Sequence, residues 1–309
     1  MRVVVIGAGV IGLSCAVRLA EAGHDVGVFA RDLPPETTSS VAAAMWYPYL
    51  ASPQGRVAEW AAVTYRELAR LAEAESSIRL RSGMECLVKP QPDPWWADTL
   101  PDFHRVTPPD GFAEAWAFTS PVVEMGRYLP YLVSRLEAAG GSVTRATMAE
   151  LPTNADVVVN CSGLGARLLA GDRTVTPVRG QVVYLVRPPE VTEWLVADAG
   201  DQGLTYVVPR EDDVVVGGTN EPDRWDREPQ EETGAAMLER ATALVPALRG
   251  ATVLGHRVGL RPTRPEIRCE AVQAGRRLVV HCYGHGGAGV TLSWGCADEV
   301  LRYVLDAAS

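Results

Sequence analysis

The sequence lacks any concentrated block of lysine and arginine, and its formal net charge is −9. A surface that binds nucleic acid needs a basic patch, so we expect no nucleic-acid partner. Paired metal-binding cysteines are also missing: the six cysteines are scattered, with no C-x-x-C motif and no Cys/His group at metal-ligand spacing. We therefore expect no metal site and interpret the cysteines as buried thiols in a reducing compartment.

Long apolar runs are scarce as well. The run at residues 3–17 contains three glycines, shows no cleavage-site pattern and is too short to cross a bilayer. The final tripeptide is not a peroxisomal signal. These features predict a cytoplasmic protein without membrane association. The 309 residues show no repeat and no disordered tract, and they suffice for one large domain or two smaller ones.

What is present near the N-terminus is a β-α-β unit. Residues 3–6 are typical of a buried parallel strand, residues 10–22 predict a helix that Gly23 ends, and residues 25–29 predict a second strand. The intervening turn, Gly7-Ala8-Gly9-Val10-Ile11-Gly12, has G-x-G-x-x-G spacing. Its glycines permit a tight turn, close approach of a pyrophosphate and close helix–strand packing. The unit predicts a dinucleotide at the positive end of the helix dipole.

Two features beside this turn leave alternatives open. The acidic residue expected after the second strand is replaced by Ala30-Arg31-Asp32, where the arginine could contact the adenine side or an NADP phosphate. The hydroxyls of Thr37-Thr38-Ser39-Ser40 could bind diphosphate oxygens or could belong to a solvated loop or helix cap.

The rest of the chain predicts an α/β fold with a Rossmann-like dinucleotide-binding domain and an inserted α+β substrate domain based on a mixed or antiparallel sheet. Further strands are expected at 156–160, 182–186, 204–208, 214–217 and 278–282, and further helices at 60–75, 124–139 and 293–305. Residues 79–118, rich in proline and tryptophan, predict irregular loops with short strands. The first domain is expected from residues 1–50, 140–178 and 262–309, and the second from 51–139 and 179–261.

Six ordered blocks resemble the D-amino-acid oxidase family along essentially the whole chain. They are residues 1–14, residues 37–46, Gly180-Gln181, Gly217-Gly218-Thr219, residues 259–265 and residues 283–297. The resemblance implies non-covalently bound FAD and oxidative deamination of neutral D-amino acids by hydride transfer to flavin N5. Reoxidation by O₂ would then give a 2-oxo acid, ammonia and hydrogen peroxide. A homodimer is compatible with the resemblance.

The resemblance also implies roles for individual residues. Arg261 would bind the substrate carboxylate with support from the Tyr206 hydroxyl, Gly287 would lie near the amine, and Tyr47 would line the side-chain pocket; no acid–base residue is expected. A guanidinium suits the first role because it binds a carboxylate through two parallel hydrogen bonds. The expected FAD contacts are Gly7, Ala8, Gly9, Val10, Ile11, Gly12, Arg31, Asp32, Thr37, Thr38, Ser39, Ala43, Ala44, Met45, Leu164, Gly286, Gly287, Ala288, Gly289, Val290 and Thr291.

Several alternatives stay open at this point. Arg261 could instead order its own loop through a salt bridge, and Tyr206 could be a packing aromatic of the sheet. His285 is interpreted as structural. Residues 201–205 lack the tyrosine with which some family members cover the pocket. The rival activities are those of a glycine or sarcosine-type oxidase, a D-aspartate oxidase (which would need an extra cation in the pocket) and a non-catalytic dinucleotide-binding protein.

Overall fold

The predicted β-α-β unit is confirmed in the structure, a computed structural model that describes residues 1–48, 51–198 and 203–308. Strand β1 (Arg2–Ile6) leads into helix α1 (Val10–Glu21), and β2 (Asp25–Ala30) returns parallel to β1. Four of the five β1 residues are buried, as expected for a strand covered on both faces.

Five parallel strands form one half of a large sheet, in the order β14-β7-β1-β2-β6. The three new strands are β6 (Ser142–Arg145), β7 (Val157–Asn160) and β14 (Arg277–His285). Helix α1 packs against α6 (Gly289–Asp306) and α3 (Met125–Ala138), and α6 also packs against α2 (Gln54–Leu71). The main hydrophobic core lies between these helices and the sheet.

The other half of the sheet is antiparallel except for one parallel pair, and its order is β4-β5-β3-β9-β10-β11-β8. Its strands are β3 (Ile78–Leu87), β4 (His104–Val106), β5 (Glu114–Val123), β8 (Thr176–Val186), β9 (Trp194–Asp198), β10 (Leu204–Pro209) and β11 (Asp213–Gly217). The short β12 (Glu221–Pro222) pairs with β8. Helix α5 (Glu231–Leu244) packs on this half, and the four-residue α4 (Ala166–Leu169) follows β7.

Strand β13 (Val253–Ala274) joins the two halves. Its first part pairs with β8, and its last part pairs with β14 after a register shift between Thr263 and Arg268. One continuous strand therefore connects β14 of the parallel half to β8, the last strand of the antiparallel half. Arg261 lies on that strand, just before the shift.

The structure corrects parts of the sequence prediction. Residues 79–87 and 114–118, where short strands in irregular loops were expected, belong to β3 and β5, two ten-residue strands that pair along their whole length. Five of the ten β3 residues are exposed or only partly buried, so the strand lacks a continuous apolar signal. Helix α5 was not predicted, and α6 begins four residues earlier than expected.

The expected division into two domains remains a prediction, although every strand of the parallel half belongs to the three segments assigned to the dinucleotide domain. Residues 201–205 lack the tyrosine that covers the pocket in some family members, and residues 201–202 of this stretch lie outside the described residues. Residues 49–50 and 199–200 lie outside them as well. Among the described helices, not one combines the length and apolar character that a membrane span requires.

Candidate active site

One cavity of about 940 Å³ extends from the glycine turn after β1 to the antiparallel half of the sheet. Arg31 and Asp32 line one end, and Tyr47, Tyr206 and Arg261 line the other. All the predicted substrate and cofactor residues line this cavity except two, Ala288 and Thr291, whose side chains are buried behind its wall. The structure thus brings the predicted dinucleotide site and the predicted substrate site into one continuous space.

The glycine turn is built as its spacing predicts. Gly7 has a φ of +112°, which favours glycine, and its N–H donates to the Phe29 carbonyl of β2 at 2.9 Å. Gly12 lies against the Gly7 carbonyl, so a Cβ atom there would overlap with it. Helix α1 begins directly after Gly9, and the N–H groups of a first helical turn have no partners inside the helix. The turn therefore offers donors and a positive dipole end to a phosphate.

A hydroxyl-bearing turn covers the start of α1. The Val10 N–H donates to the Ser39 hydroxyl at 3.0 Å, and a Cβ atom at Gly9 would lie 3.1 Å from the same oxygen. The Thr37 hydroxyl bonds to that of Ser40, while the Thr38 hydroxyl donates to the Leu260 carbonyl at 3.2 Å. These hydroxyls therefore fix the loop as well as line the cavity, and the Ser39 hydroxyl hydrogen stays available to a ligand.

Arg31 and Asp32 form an ion pair at the end of β2. The Arg31 guanidinium donates two hydrogen bonds to the Asp32 carboxylate, at 3.0 and 2.6 Å. These bonds hold the pKa of Asp32 below its usual value, although partial burial opposes them. An ionised carboxylate thus lines the cavity two residues after the end of β2, close to the strand end at which the dinucleotide fingerprint places its ribose-binding acid.

A second glycine-rich turn connects β14 to α6 on the opposite side of the cavity. Gly284 and Gly286 have φ values of +87° and +54°, and the Gly286 N–H donates to the Pro262 carbonyl at 2.9 Å. Gly287 and Gly289 also line the cavity. This backbone consequently approaches the enclosed space without intervening side chains, as expected where a planar ligand lies against a loop.

The segment that leads to Tyr47 is fixed between β5 and α6. Ala44 is a buried non-glycine residue with a φ of +59°, and its carbonyl accepts from the Val123 N–H at 2.9 Å. The Thr291 hydroxyl accepts from the Tyr47 N–H at 2.9 Å and donates to the Tyr47 carbonyl at 3.0 Å. Thr291 therefore positions Tyr47 from behind the cavity wall.

Arg261 and Tyr206 meet at the far end of the cavity. Arg261 donates through Nη1 to the Thr219 carbonyl at 2.9 Å, which leaves the other edge of the guanidinium for a ligand. Burial raises the pKa of Tyr206, and the neighbouring Arg261 guanidinium opposes that shift. Tyr206 is therefore a neutral phenol that can donate a hydrogen bond. A cation beside a phenol suits a carboxylate, and the alternative role of Arg261 in a loop salt bridge receives no support from these contacts.

Three glycines make room for this pair. A Cβ atom at Gly180 of β8 would overlap with the Arg261 guanidinium. Gly217, the register partner of Tyr206, and Gly218 both lie against the Tyr206 ring. These glycines belong to the family-like blocks of the sequence, where they had no assigned role. Glycine inside a buried strand was the available signal, because it marks close approach of another group.

Acid–base side chains are few in the described part of the cavity wall. Among the described residues that line the cavity, Asp32 at the opposite end is the carboxylate and His285 is the imidazole. His285 is buried with Nε2 at 3.4 Å from the Cys296 Sγ, which fits the structural role expected for it. All six cysteines are free thiols, and only Cys161 among them is half-buried rather than buried. Folding brings Cys15, Cys161 and Cys282 within 4.8 Å of one another, a proximity that their spacing in the sequence conceals.

Comparison with known proteins agrees with this geometry. Residues 2–302 match the DAO family, described as FAD dependent oxidoreductase. The chain belongs to this family of FAD-dependent oxidoreductases. It is 47% identical over 307 residues to the D-amino-acid oxidase of Rubrobacter xylanophilus, covering 96% of this chain and 94% of that protein. It is also 38% identical over 325 residues to the human D-aspartate oxidase, covering 98% and 94%.

A solved structure supports the same fold. Glycine oxidase from Geobacillus kaustophilus superposes with a TM-score of 0.81 at 21% identity, over 97% of this chain and 94% of that one. The cofactor of this oxidoreductase is FAD. The residues that line the cavity fit FAD. The Gly7–Gly12 turn and the Ser39 hydroxyl can hold the diphosphate, Asp32 can hold the ribose, and the Gly284–Gly289 backbone leaves room for a flat ring system.

Proposed function

We propose that the enzyme oxidises D-amino acids, with the substrate carboxylate bound by Arg261 and Tyr206. The observation that carries the proposal is that this cation–phenol pair and the dinucleotide turn share one cavity. The curated relative from Rubrobacter, a D-amino-acid oxidase at 47% identity over nearly the whole chain, supports the same activity. Bound FAD supplies an acceptor for the α-hydrogen with its electron pair and passes the electrons to O₂, giving hydrogen peroxide.

The protein's own contribution is binding and orientation. The free edge of the Arg261 guanidinium takes the carboxylate, and the Tyr206 hydroxyl donates to it. The Gly287 backbone lies on the opposite wall and is the predicted contact for the amine. Since no acid–base residue is expected to take part, the amine gives up its proton to solvent before it reacts. The released imino acid is hydrolysed by water to a 2-oxo acid and ammonia.

The substrate end of the cavity favours a substrate side chain without charge. Beyond the carboxylate-binding pair it is lined by Met45, Tyr47, Val196, Leu204 and Val208. All five side chains are uncharged, which favours a neutral substrate side chain over an anionic one, and the likeness to a named D-amino-acid oxidase favours a D-amino acid over glycine or sarcosine. We further propose a cytoplasmic location and non-covalent FAD; a homodimer is compatible with both.

The purified holoenzyme tests the proposal. D-alanine added without oxygen should bleach the flavin absorbance, whereas L-alanine should leave it, and readmitted O₂ should restore it with release of hydrogen peroxide. Glycine and sarcosine are compared at the same concentration. A yellow protein that bleaches faster with glycine or sarcosine than with D-alanine would contradict the proposal, as would one that none of them bleaches.

A further inference from the structure

A buried carboxyl group lies behind the wall of the substrate end of the cavity. Glu85 of β3 is 5% exposed, and its Oε1 accepts a hydrogen bond from the Tyr47 hydroxyl at 2.6 Å. Its Oε2 is buried without a hydrogen-bond partner among the described residues. A buried carboxyl oxygen without a hydrogen-bond partner lowers the stability of the folded protein. The strand itself does not require a carboxyl group at this position. Glu85 is not among the site residues predicted from the sequence.

Strand register relates Glu85 to the carboxylate-binding pair. Glu85 pairs with Val196 of β9, and Val196 pairs with Tyr206 of β10. Residues that are direct register partners project to the same face of a sheet. Glu85 therefore lies on the same face as Tyr206, two strand spacings or about 10 Å away, with the cavity-lining Val196 between them.

Tyr47 separates Glu85 from the cavity and is itself held firmly. Its backbone N–H and carbonyl both bond to the Thr291 hydroxyl, and its ring meets the edge of Trp96 at 5.5 Å between centroids. Its hydroxyl is engaged by Glu85. A substrate side chain that leaves the Arg261–Tyr206 pair along this face therefore meets a fixed phenol with a carboxyl group directly behind it.

We propose that Glu85, acting with Tyr47, is a specificity-determining residue that discriminates against D-amino acids with an anionic side chain. The inference rests on the proposed function and extends it to the choice of substrate. It also separates this chain from an activity on D-aspartate, because the described residues around Tyr47 and Glu85 add a negative group where such a substrate would need a cation.

The charge at Glu85 depends on pH in the neutral range. Burial raises its pKa to about 7, the Tyr47 hydrogen bond opposes that shift, and the charge of Asp198 on β9 adds to it. On β5, the Glu114 carboxylate is paired with Arg105 of β4 and accepts from the Trp116 indole N–H. Glu85 is thus mostly neutral at about pH 6 and mostly ionised at about pH 8, whereas a free aspartate side chain, with a pKa of about 4, is ionised at both. Discrimination against D-aspartate should therefore increase with pH.

The experiment compares D-aspartate with D-asparagine, its neutral isostere. In the parent holoenzyme, the ratio of kcat/KM for D-aspartate to that for D-asparagine should fall about fivefold or more from about pH 6 to about pH 8. In Glu85→Gln the ratio should lose this pH dependence and at about pH 8 exceed the parent ratio about tenfold. The matched control is Glu59→Gln on the exposed face of α2, which removes the same charge far from the cavity and should keep the parent ratio at each pH.

Binding supplies a readout that is independent of turnover. Succinate and succinamate are D-aspartate and D-asparagine without the amine, so calorimetry on the holoenzyme should show succinate losing affinity relative to succinamate as pH rises, in the parent but not in Glu85→Gln. Tyr47→Phe is the second variant, needed if Glu85→Gln does not fold. Loss of the hydroxyl donor should move the midpoint of the pH dependence upward, because the Tyr47 bond lowers the pKa of Glu85.

Each result is decisive. If the parent oxidises D-asparagine but its substrate ratio and its binding ratio match those of Glu85→Gln at every pH, the inference about Glu85 is overturned while the proposed function stands. An unmoved midpoint in Tyr47→Phe overturns it in the same way. If the parent oxidises neither substrate nor D-alanine, the proposed function itself has failed.

Discussion

Replacing Arg261 with alanine removes the guanidinium that faces the substrate end of the cavity. Arg261 Nη1 is committed to the Thr219 carbonyl, and Gly180 leaves the space in which the guanidinium lies. The variant therefore leaves a substrate carboxylate with the Tyr206 hydroxyl as a donor but without a cation. A two-pronged, charge-assisted interaction in a partly enclosed site should contribute about 3 kcal/mol, since its loss strands a desolvated carboxylate. That energy corresponds to a loss of about a hundredfold in kcat/KM.

The assay follows hydrogen peroxide release with D-alanine and, in the same preparations, the flavin-to-protein ratio. Arg261→Ala should keep its flavin, because Arg261 lies at the opposite end of the cavity from the glycine turn. Arg261→Lys should recover only part of the activity, because one ammonium cannot reproduce the two parallel bonds. Any amine substrate without a carboxylate should be oxidised as well by Arg261→Ala as by the parent.

The matched control is Arg257→Ala. Arg257 is an exposed residue of the same strand, four positions earlier, and its guanidinium bonds to the neighbouring His256 carbonyl. The control loses the same charge and should retain the parent kcat/KM. The reasoning is refuted if Arg261→Ala oxidises D-alanine within a few fold of the parent, since the carboxylate would then be bound elsewhere.

Three further predictions concern the cofactor and the space around the Arg261 guanidinium. Gly9→Val should purify with little flavin, measured as the flavin-to-protein ratio, because even a Cβ atom there approaches the Ser39 hydroxyl to 3.1 Å; a fully yellow variant would contradict the placement of the diphosphate. Gly180→Ala should raise KM for D-alanine about tenfold or more by displacing the Arg261 guanidinium, whereas Gly126→Ala, in open space on α3, should leave KM unchanged. Acid precipitation should release FAD into the supernatant, and a yellow pellet would show that the link is covalent.

Local sequence patterns predicted the dinucleotide end of the cavity well. The β-α-β unit is contained in about thirty consecutive residues, and the conformations of Gly7 and Gly12 follow from requirements that act within that stretch. The hydroxyls of Thr37 and Thr38 were harder to interpret, because their partners, Ser40 and Leu260, depend on folding. The position of the Asp32 carboxylate was visible in the sequence, but its pairing with Arg31 was not considered.

The substrate end could not be derived from local patterns. Arg261 and Tyr206 were identified through family resemblance, and their proximity arises from the pairing of β13 with β8, of β8 with β11 and of β11 with β10. Glu85 was missed because the pairing of β3 with β9 joins segments that are distant in the sequence. A single glutamate in a strand with several charged residues, most of them exposed or partly buried, carries no local sign that it will be buried.

The topology explains how one architecture can retain its chemistry while the substrate changes. Catalysis by orientation requires the carboxylate-binding cation to be fixed relative to the cofactor within a fraction of an ångström. Strand β13 provides this constraint, because it carries Arg261 and then pairs with β14, whose end forms the second glycine turn of the cofactor cradle. The side-chain end of the pocket is built instead on β3, β9 and the Tyr47 segment, and three strands (β10, β11 and β8) separate β9 from β13 in the sheet. Replacements at positions such as 47 and 85 can therefore alter the charge that a substrate side chain meets without moving Arg261. This separation of the carboxylate-binding residues from the side-chain pocket fits a family whose curated relatives are named for D-amino acids in one case and for D-aspartate in another.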